Sequence, residues 1–360
     1  MLHRLLKGIH WRIVSVAAGL VLIGVVAIYS ASFRMGGGFA AKQATWTLIA
    51  VCAFFSAAWV GYRFFLNVSY LFYGLTIVLL VFVPLFGETY LGANRWISLG
   101  PFQLQPSELC KIATILILAQ YLANRTALSE QKRSFFVTLA LVAVPVGLIL
   151  KQPDLGSALV FLPVLFAILF FWGFRIRYLV FLAMLGISMA PFLWHTLKPY
   201  QQKRLLVFFN PSVDPIGASY TAIQSKIAVG SGGLIGKGWL RGTQTQLDFV
   251  PEHHTDFIFS VIGEEFGFAG SIVIIALFGF LLLYVFEIME HTTDLKARLL
   301  AIGIAAFLFF QVFVNIGMTI GLAPITGLTL PLVSYGGSSL VTTFFALGLL
   351  VSVYKERSIF

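Results

Sequence analysis

The stretch Pro251-Glu252-His253-His254-Thr255-Asp256 puts carboxylates, two histidines and a threonine at the mouth of a long apolar run. An ionised carboxylate is costly to keep at the edge of lipid, so an acid in that position marks a functional site by default. Partial desolvation raises a carboxyl pKa, which suits a general base. If the helix starts near 255, Ser260, Gly263 and Gly267 share the face of Asp256 and leave room beside it. Thr255 or Asp256 as a helix N-cap is the plainer reading of the same residues. Zinc is disfavoured, because adjacent histidines diverge on a helix and no third ligand is evident.

Three further groups carry polar chemistry. In Gln105-Pro106-Ser107-Glu108-Leu109-Cys110-Lys111, Pro106 suits a first helical turn. Glu108 and Lys111 share one side of that helix, either as an internal ion pair or as a charged wall on a wet cavity. In Lys151-Gln152-Pro153-Asp154-Leu155-Gly156-Ser157, Asp154 either caps the next helix or sets a second carboxylate across the same cavity. In Ser334-Tyr335-Gly336-Gly337-Ser338-Ser339, successive glycines before a helix offer backbone N–H groups to an anion, or else permit close helix packing. Lys203 and Arg204 add a phosphate clamp, or lie among lipid headgroups. Asn315 and the broken Gly321–Gly327 stretch suggest irregular backbone lining a cavity.

These groups need a frame, and composition indicates which. The 360 residues are 59% hydrophobic and 11% charged, against about 25% charged in soluble domains. Apolar runs long enough to cross a bilayer of about 30 Å recur along the chain. The expectation is an all-α polytopic membrane protein, residues 1–360 forming a single membrane domain. Ten spans are placed at about 12–32, 43–61, 65–86, 107–124, 135–151, 155–173, 178–196, 256–287, 298–321 and 337–354. The eighth is too long for one straight crossing and should bend near Gly263 or Gly267. The first reads as an uncleaved helix, although His3, Arg4, Lys7 and a Ser30-Ala31-Ser32 triplet imitate a signal peptide.

Lysine and arginine concentrate at one set of span ends, including Arg12, Arg63, Arg125, Lys132, Arg133, Arg175, Arg177, Lys296, Arg298, Lys355 and Arg357. The positive-inside rule then places both termini in the cytoplasm. The same rule accounts for the net charge of +10 without any nucleic-acid role. The one long connection, about 197–255, falls outside. It holds six basic residues (Lys198, Lys203, Arg204, Lys226, Lys237 and Arg241) against three acidic ones before Asp256. Within it, Tyr220–Val229 reads as a short amphipathic helix, followed by a glycine-rich turn. Cys52 and Cys110 lie in apolar segments and read as free thiols.

Taken together in order and spacing, these motifs, with Gln224-Ser-Lys-Ile-Ala-Val-Gly-Ser-Gly-Gly233, closely resemble the SEDS family (shape, elongation, division and sporulation), nearest its rod-shape branch. The resemblance covers nearly the whole chain. Thr329 departs from it, standing where a proline is expected. It implies a ten-helix peptidoglycan glycosyltransferase of the bacterial cytoplasmic membrane, polymerising lipid II on the outer face during elongation. It further implies a class B penicillin-binding protein as transpeptidase partner, and Asp256 as the match to the family's essential aspartate. The leaving pyrophosphate would be met by Arg204, Lys203, Lys111 and the 336–338 segment, with Glu108 and Asp154 in the same cleft. A divalent cation (magnesium or manganese) is left open. No Walker A element is present, so no nucleotide is implied. Two other functions fit the same residues at this stage: a lipid II flippase, and a non-catalytic scaffold.

Overall fold

A computed structural model describes residues 10–357 apart from 36–37, 87, 91–92, 100–101, 126–130 and 215–216, and so excludes His3, Arg4 and Lys7. Its helices are α1 (Trp11–Ala31), α2 (Gly38–Val60), α3 (Tyr62–Asn67), α4 (Ser69–Phe86), α5 (Pro106–Ala123), α6 (Gln131–Lys151), α7 (Leu155–Trp172) and α8 (Ile176–Thr196). Then follow α9 (Pro199–Phe209), α10 (Ala218–Ser231), α11 (Thr243–Gln246), α12 (Ile258–Glu290), α13 (Leu295–Ile320) and α14 (Gly337–Arg357).

Each expected span has its helix. Among the described residues eight are long and apolar enough to cross a membrane. The other two differ for visible reasons. The apolar part of α4 is short, Ser69–Pro84. Helix α5 carries Glu108, Lys111 and Gln120, which it can hold because nearly all of it is buried by its neighbours. Helices α5 and α13 form the centre of the bundle, with α7, α12 and α4 packed around them and α14 lying along α2. Helix α8 packs mainly against α7, and most of its surface is exposed.

Between α4 and α5 the chain forms three short antiparallel strands, β1 (Glu88–Tyr90), β2 (Ala93–Leu99) and β3 (Phe102–Leu104). No strand is expected here from the sequence. These segments are too short for a periodic signal, and β2 and β3 are joined at close range, so pairing rather than propensity decides them.

The bend in the eighth span falls at Gly267, with φ 64° and ψ −156°, a region open almost only to glycine. A break inside a spanning helix strands backbone groups that must be paired elsewhere. The glycine-rich turn after α10 pairs them. Lys237 and Gly238 donate to the carbonyls of Glu264 and Glu265, at 3.0 Å each. Phe268 and Ala269 donate to the carbonyls of Gly233 and Leu234 at 2.9 and 3.0 Å. A β-carbon at Gly267 would run into the amide of Gly236.

Candidate active site

Asp256 lies in the turn just before α12. Its frame is built by three consecutive carbonyls. That of His254 accepts from the Tyr335 amide at 3.0 Å. That of Thr255 accepts from Ser334 Oγ at 2.6 Å, and that of Asp256 from Asn315 Nδ2 at 2.8 Å. Asn315 also donates to the Leu328 carbonyl at 2.7 Å, tying the turn to the irregular segment after α13. Below, Phe257 packs with Ala228, Val250 and Ile325 in a small apolar cluster separate from the main core. His253 completes the clamp, its ring nitrogens 2.7 Å from the Val250 carbonyl and 2.8 Å from that of Ala31. The triplet that imitates a cleavage site is therefore an anchor within the fold. Ser30 Oγ also donates to Glu265 at 2.5 Å.

Neither Thr255 nor Asp256 caps α12. The N-cap position is Phe257, with no side-chain hydrogen bond, and Thr255 Oγ1 turns back to the Glu252 carbonyl at 3.2 Å. The Asp256 carboxylate is left for other work. Burial pushes its pKa from 3.8 up to about 6; Arg204 and Arg95 pull it down, while Glu252 and Asp154 push it up. Gly327, at φ +77°, makes the room beside it. A β-carbon there would sit 3.3 Å from Asp256 Oδ2 and 3.6 Å from Arg204 Nη1, so carboxylate and guanidinium flank one glycine.

Arg204 lies in the wall of two hollows. The first, about 310 Å³, is lined by Arg95, Pro153, Tyr200, Gln201 and Thr326 among others. The second, about 410 Å³, lies between α9, α10 and the end of α13. Both are small and open to the surface, and neither admits two glycolipids as it stands. Asp256 is in the wall of neither, and meets the first through Gly327, next to Thr326.

The remaining expected residues separate. Asp154 caps α7, accepting from the Ser157 amide at 3.1 Å, and stands 3.8 Å from Arg95, while it lines neither hollow. Arg95 also donates to the Pro153 carbonyl and to Tyr200 Oη at 3.3 Å. Glu108 and Lys111 form a buried ion pair at 2.7 Å, with the ammonium over the Phe307 ring, and line neither hollow. Gly336 donates to Gln43 Oε1 at 3.3 Å. A β-carbon at Gly337 would overlap the Trp46 indole. Ser338 Oγ donates to the Gln103 carbonyl and accepts from the Gln105 amide, both at 3.0 Å. That segment is packed and paired, not open to an anion. Lys203 is exposed and reaches toward Asp214 at 4.0 Å, away from the clamp expected of it.

Arg95 and Tyr200 are site residues that the sequence does not single out: Arg95 sits on the unforeseen strand β2, and Tyr200 belongs to no motif that carries chemistry alone. Thr326 and Gly327 fall in the broken 321–327 stretch expected to line a cavity. Glu264 is structural. It is fully buried and accepts from Lys237 Nζ (2.7 Å), the Gln244 amide (2.8 Å) and the Thr245 amide and hydroxyl (3.1 and 3.0 Å). Among the described residues no three His, Cys, Asp or Glu side chains converge as metal ligands.

Residues 10–359 match the family described as "Cell cycle protein", the FtsW, RodA and SpoVE group. The chain belongs to this family, the SEDS proteins. Among its SEDS relatives, the peptidoglycan glycosyltransferase MrdB of Escherichia coli (strain K12) is 44% identical, over 79% of this chain and 77% of the relative. The peptidoglycan glycosyltransferase RodA of Treponema pallidum (strain Nichols) is 35% identical over 94% of this chain and 95% of its own. Among solved SEDS structures, a chain from work on "Structural coordination of polymerization and crosslinking by a peptidoglycan synthase complex" superposes with a TM-score of 0.83. It is 35% identical, with 97% of this chain and 98% of that chain covered.

Proposed function

We infer that this chain joins lipid-linked disaccharides into glycan strands during cell elongation, with Asp256 as general base. The enzyme class is peptidoglycan glycosyltransferase, carried by relatives of that name matched over most of the chain. The substrate is lipid II. A 4-hydroxyl of the acceptor sugar attacks C1 of the donor sugar, the C1–oxygen bond breaks, and polyprenyl diphosphate leaves. Asp256 takes the hydroxyl proton, a contribution of roughly 10²–10⁴-fold. Arg204, with Arg95 behind it, offsets charge on the departing diphosphate. One observation carries this reading: the Asp256 carboxylate, with its pKa at about 6, and the Arg204 guanidinium stand on either side of Gly327 at the edge of a hollow.

By the lysine and arginine asymmetry, both termini lie in the cytoplasm and the site opens on the outer face. A class B penicillin-binding protein supplies the crosslinking half of the work. A magnesium or manganese ion bound mainly through substrate phosphates needs only one or two protein carboxylates, and Asp154 stands 3.8 Å from Arg95 of the first hollow.

The test is polymerisation of lipid II by purified protein in detergent, for the wild type, Asp256→Asn and Asp256→Ala, with and without chelator. Glycan from the wild type and none from either variant is the expected result. A folded Asp256→Asn protein that polymerises normally removes Asp256 from the role. Loss of product on chelation, restored by magnesium, places a cation with the diphosphate.

A further inference from the structure

Two hollows meet at Arg204; Asp256 lines neither, but Arg95 of the first acts on its charge and Thr326 of the first precedes Gly327. The second is walled by apolar side chains such as Val207, Ile223, Met318 and Pro324, and by two cations, Arg204 and Lys226. Among the described residues no carboxylate lines it. Lys226 projects from α10 and has neither an ion pair nor a hydrogen bond with any described residue. Its side chain lies across Gly321, the left-handed cap of α13 at φ +80°, where a β-carbon would overlap the ammonium and its last methylene. The backbone is thus shaped to let this lysine lie in the hollow. Both cations border one apolar-walled space, where a bound anion could pair with each. Two cations fit a diphosphate, and the apolar wall fits a hydrocarbon chain attached to it.

The reaction needs two such ligands, and its chemistry tells them apart. The donor's diphosphate is bonded to the reacting carbon, so it must lie beside the base, in the first hollow. The acceptor's diphosphate is a whole disaccharide away from the attacking hydroxyl. Resting on the function proposed above, we propose that the second hollow holds the diphosphate of the acceptor glycolipid between Lys226 and Arg204.

The probe is lipid II lacking the 4-hydroxyl of its terminal sugar, which can occupy both positions and cannot be extended. Equilibrium binding to the full chain in phosphatidylcholine nanodiscs is expected to show two equivalents for the wild type and for Lys226→Arg. Lys226→Ala should keep one equivalent unchanged and weaken the other by about tenfold, the loss of one charge-assisted contact. Arg204→Ala should weaken both. Two unweakened equivalents in Lys226→Ala, or a single equivalent in the wild type, overturn the assignment. So does displacement of the second equivalent by phosphatidylglycerol, which would make the hollow a general headgroup site. The result is independent of Asp256, because the probe does not react. Failure of the base is seen only in polymerisation, and failure of the hollow only in stoichiometry.

Discussion

At the scale of single residues, the site turns on how Asp256 is kept free. Its backbone carbonyl is held by Asn315, and its side chain does not cap the helix that follows. Its pKa of about 6 sets a sign. A base works only when ionised, so kcat/KM should fall as pH drops through about 6 and level off above it. A rate that stays flat from pH 5 to 8 would show that some other group takes the proton. Gly327 makes a second, independent test. Alanine there is strained by the positive φ and brings a methyl group against both Asp256 and Arg204. Gly327→Ala should cut polymerisation by about tenfold or more, while the strain costs only about 1–3 kcal/mol of stability. Thermal melting beside the rate assay separates the two.

At the scale of elements, α12 is two helices joined by a break, and the long connection between α8 and α12 exists partly to satisfy that break. Glu264 is the fastener. It collects one ammonium and several neutral donors from residues 237–245 while fully buried. Glu264→Ala leaves the buried Thr245 donors without their acceptor, while the partly exposed Lys237 can turn to water, a cost of about 1–3 kcal/mol. The expected outcome is a clear drop in melting temperature, with lost activity following from it, and Glu264→Gln intermediate between the two. An unchanged melting temperature would mean that the turn holds itself. Asn315 acts on a neighbouring scale, as one amide joining the Asp256 turn to the segment after α13. Asn315→Ala should lower the rate more than it lowers stability, which single-turnover rates and melting curves together would show.

For the whole molecule, the central pair α5 and α13 is held by packing on all sides, whereas α8 stays at the margin. The hollows beside α9 and α10 are smaller than two glycolipids, so polymerisation requires the wall they form to open. A disulfide between cysteines placed on α9 and α10 should therefore abolish polymerisation, and reduction should restore it. Equal rates in the oxidised and reduced protein would show that the site is reached without that opening.

Much of this was legible in one dimension. Spans, their order, the bend at glycine and the general place of the chemistry follow from apolar runs and from charge that lipid will not tolerate. Such features are local: hydrophobic length and a stranded carboxylate can be read without knowing any partner. Pairing is not local. Tertiary structure alone decided that Glu108 and Lys111 bind each other inside the bundle, that Gly336 and Gly337 serve packing, and that Asp154 both caps a helix and faces Arg95. It likewise brought Arg204, Lys226 and Gly327 together from three separate segments. A side chain's role depends on which distant backbone or charge comes within a few ångströms of it, and no spacing along the chain encodes that distance.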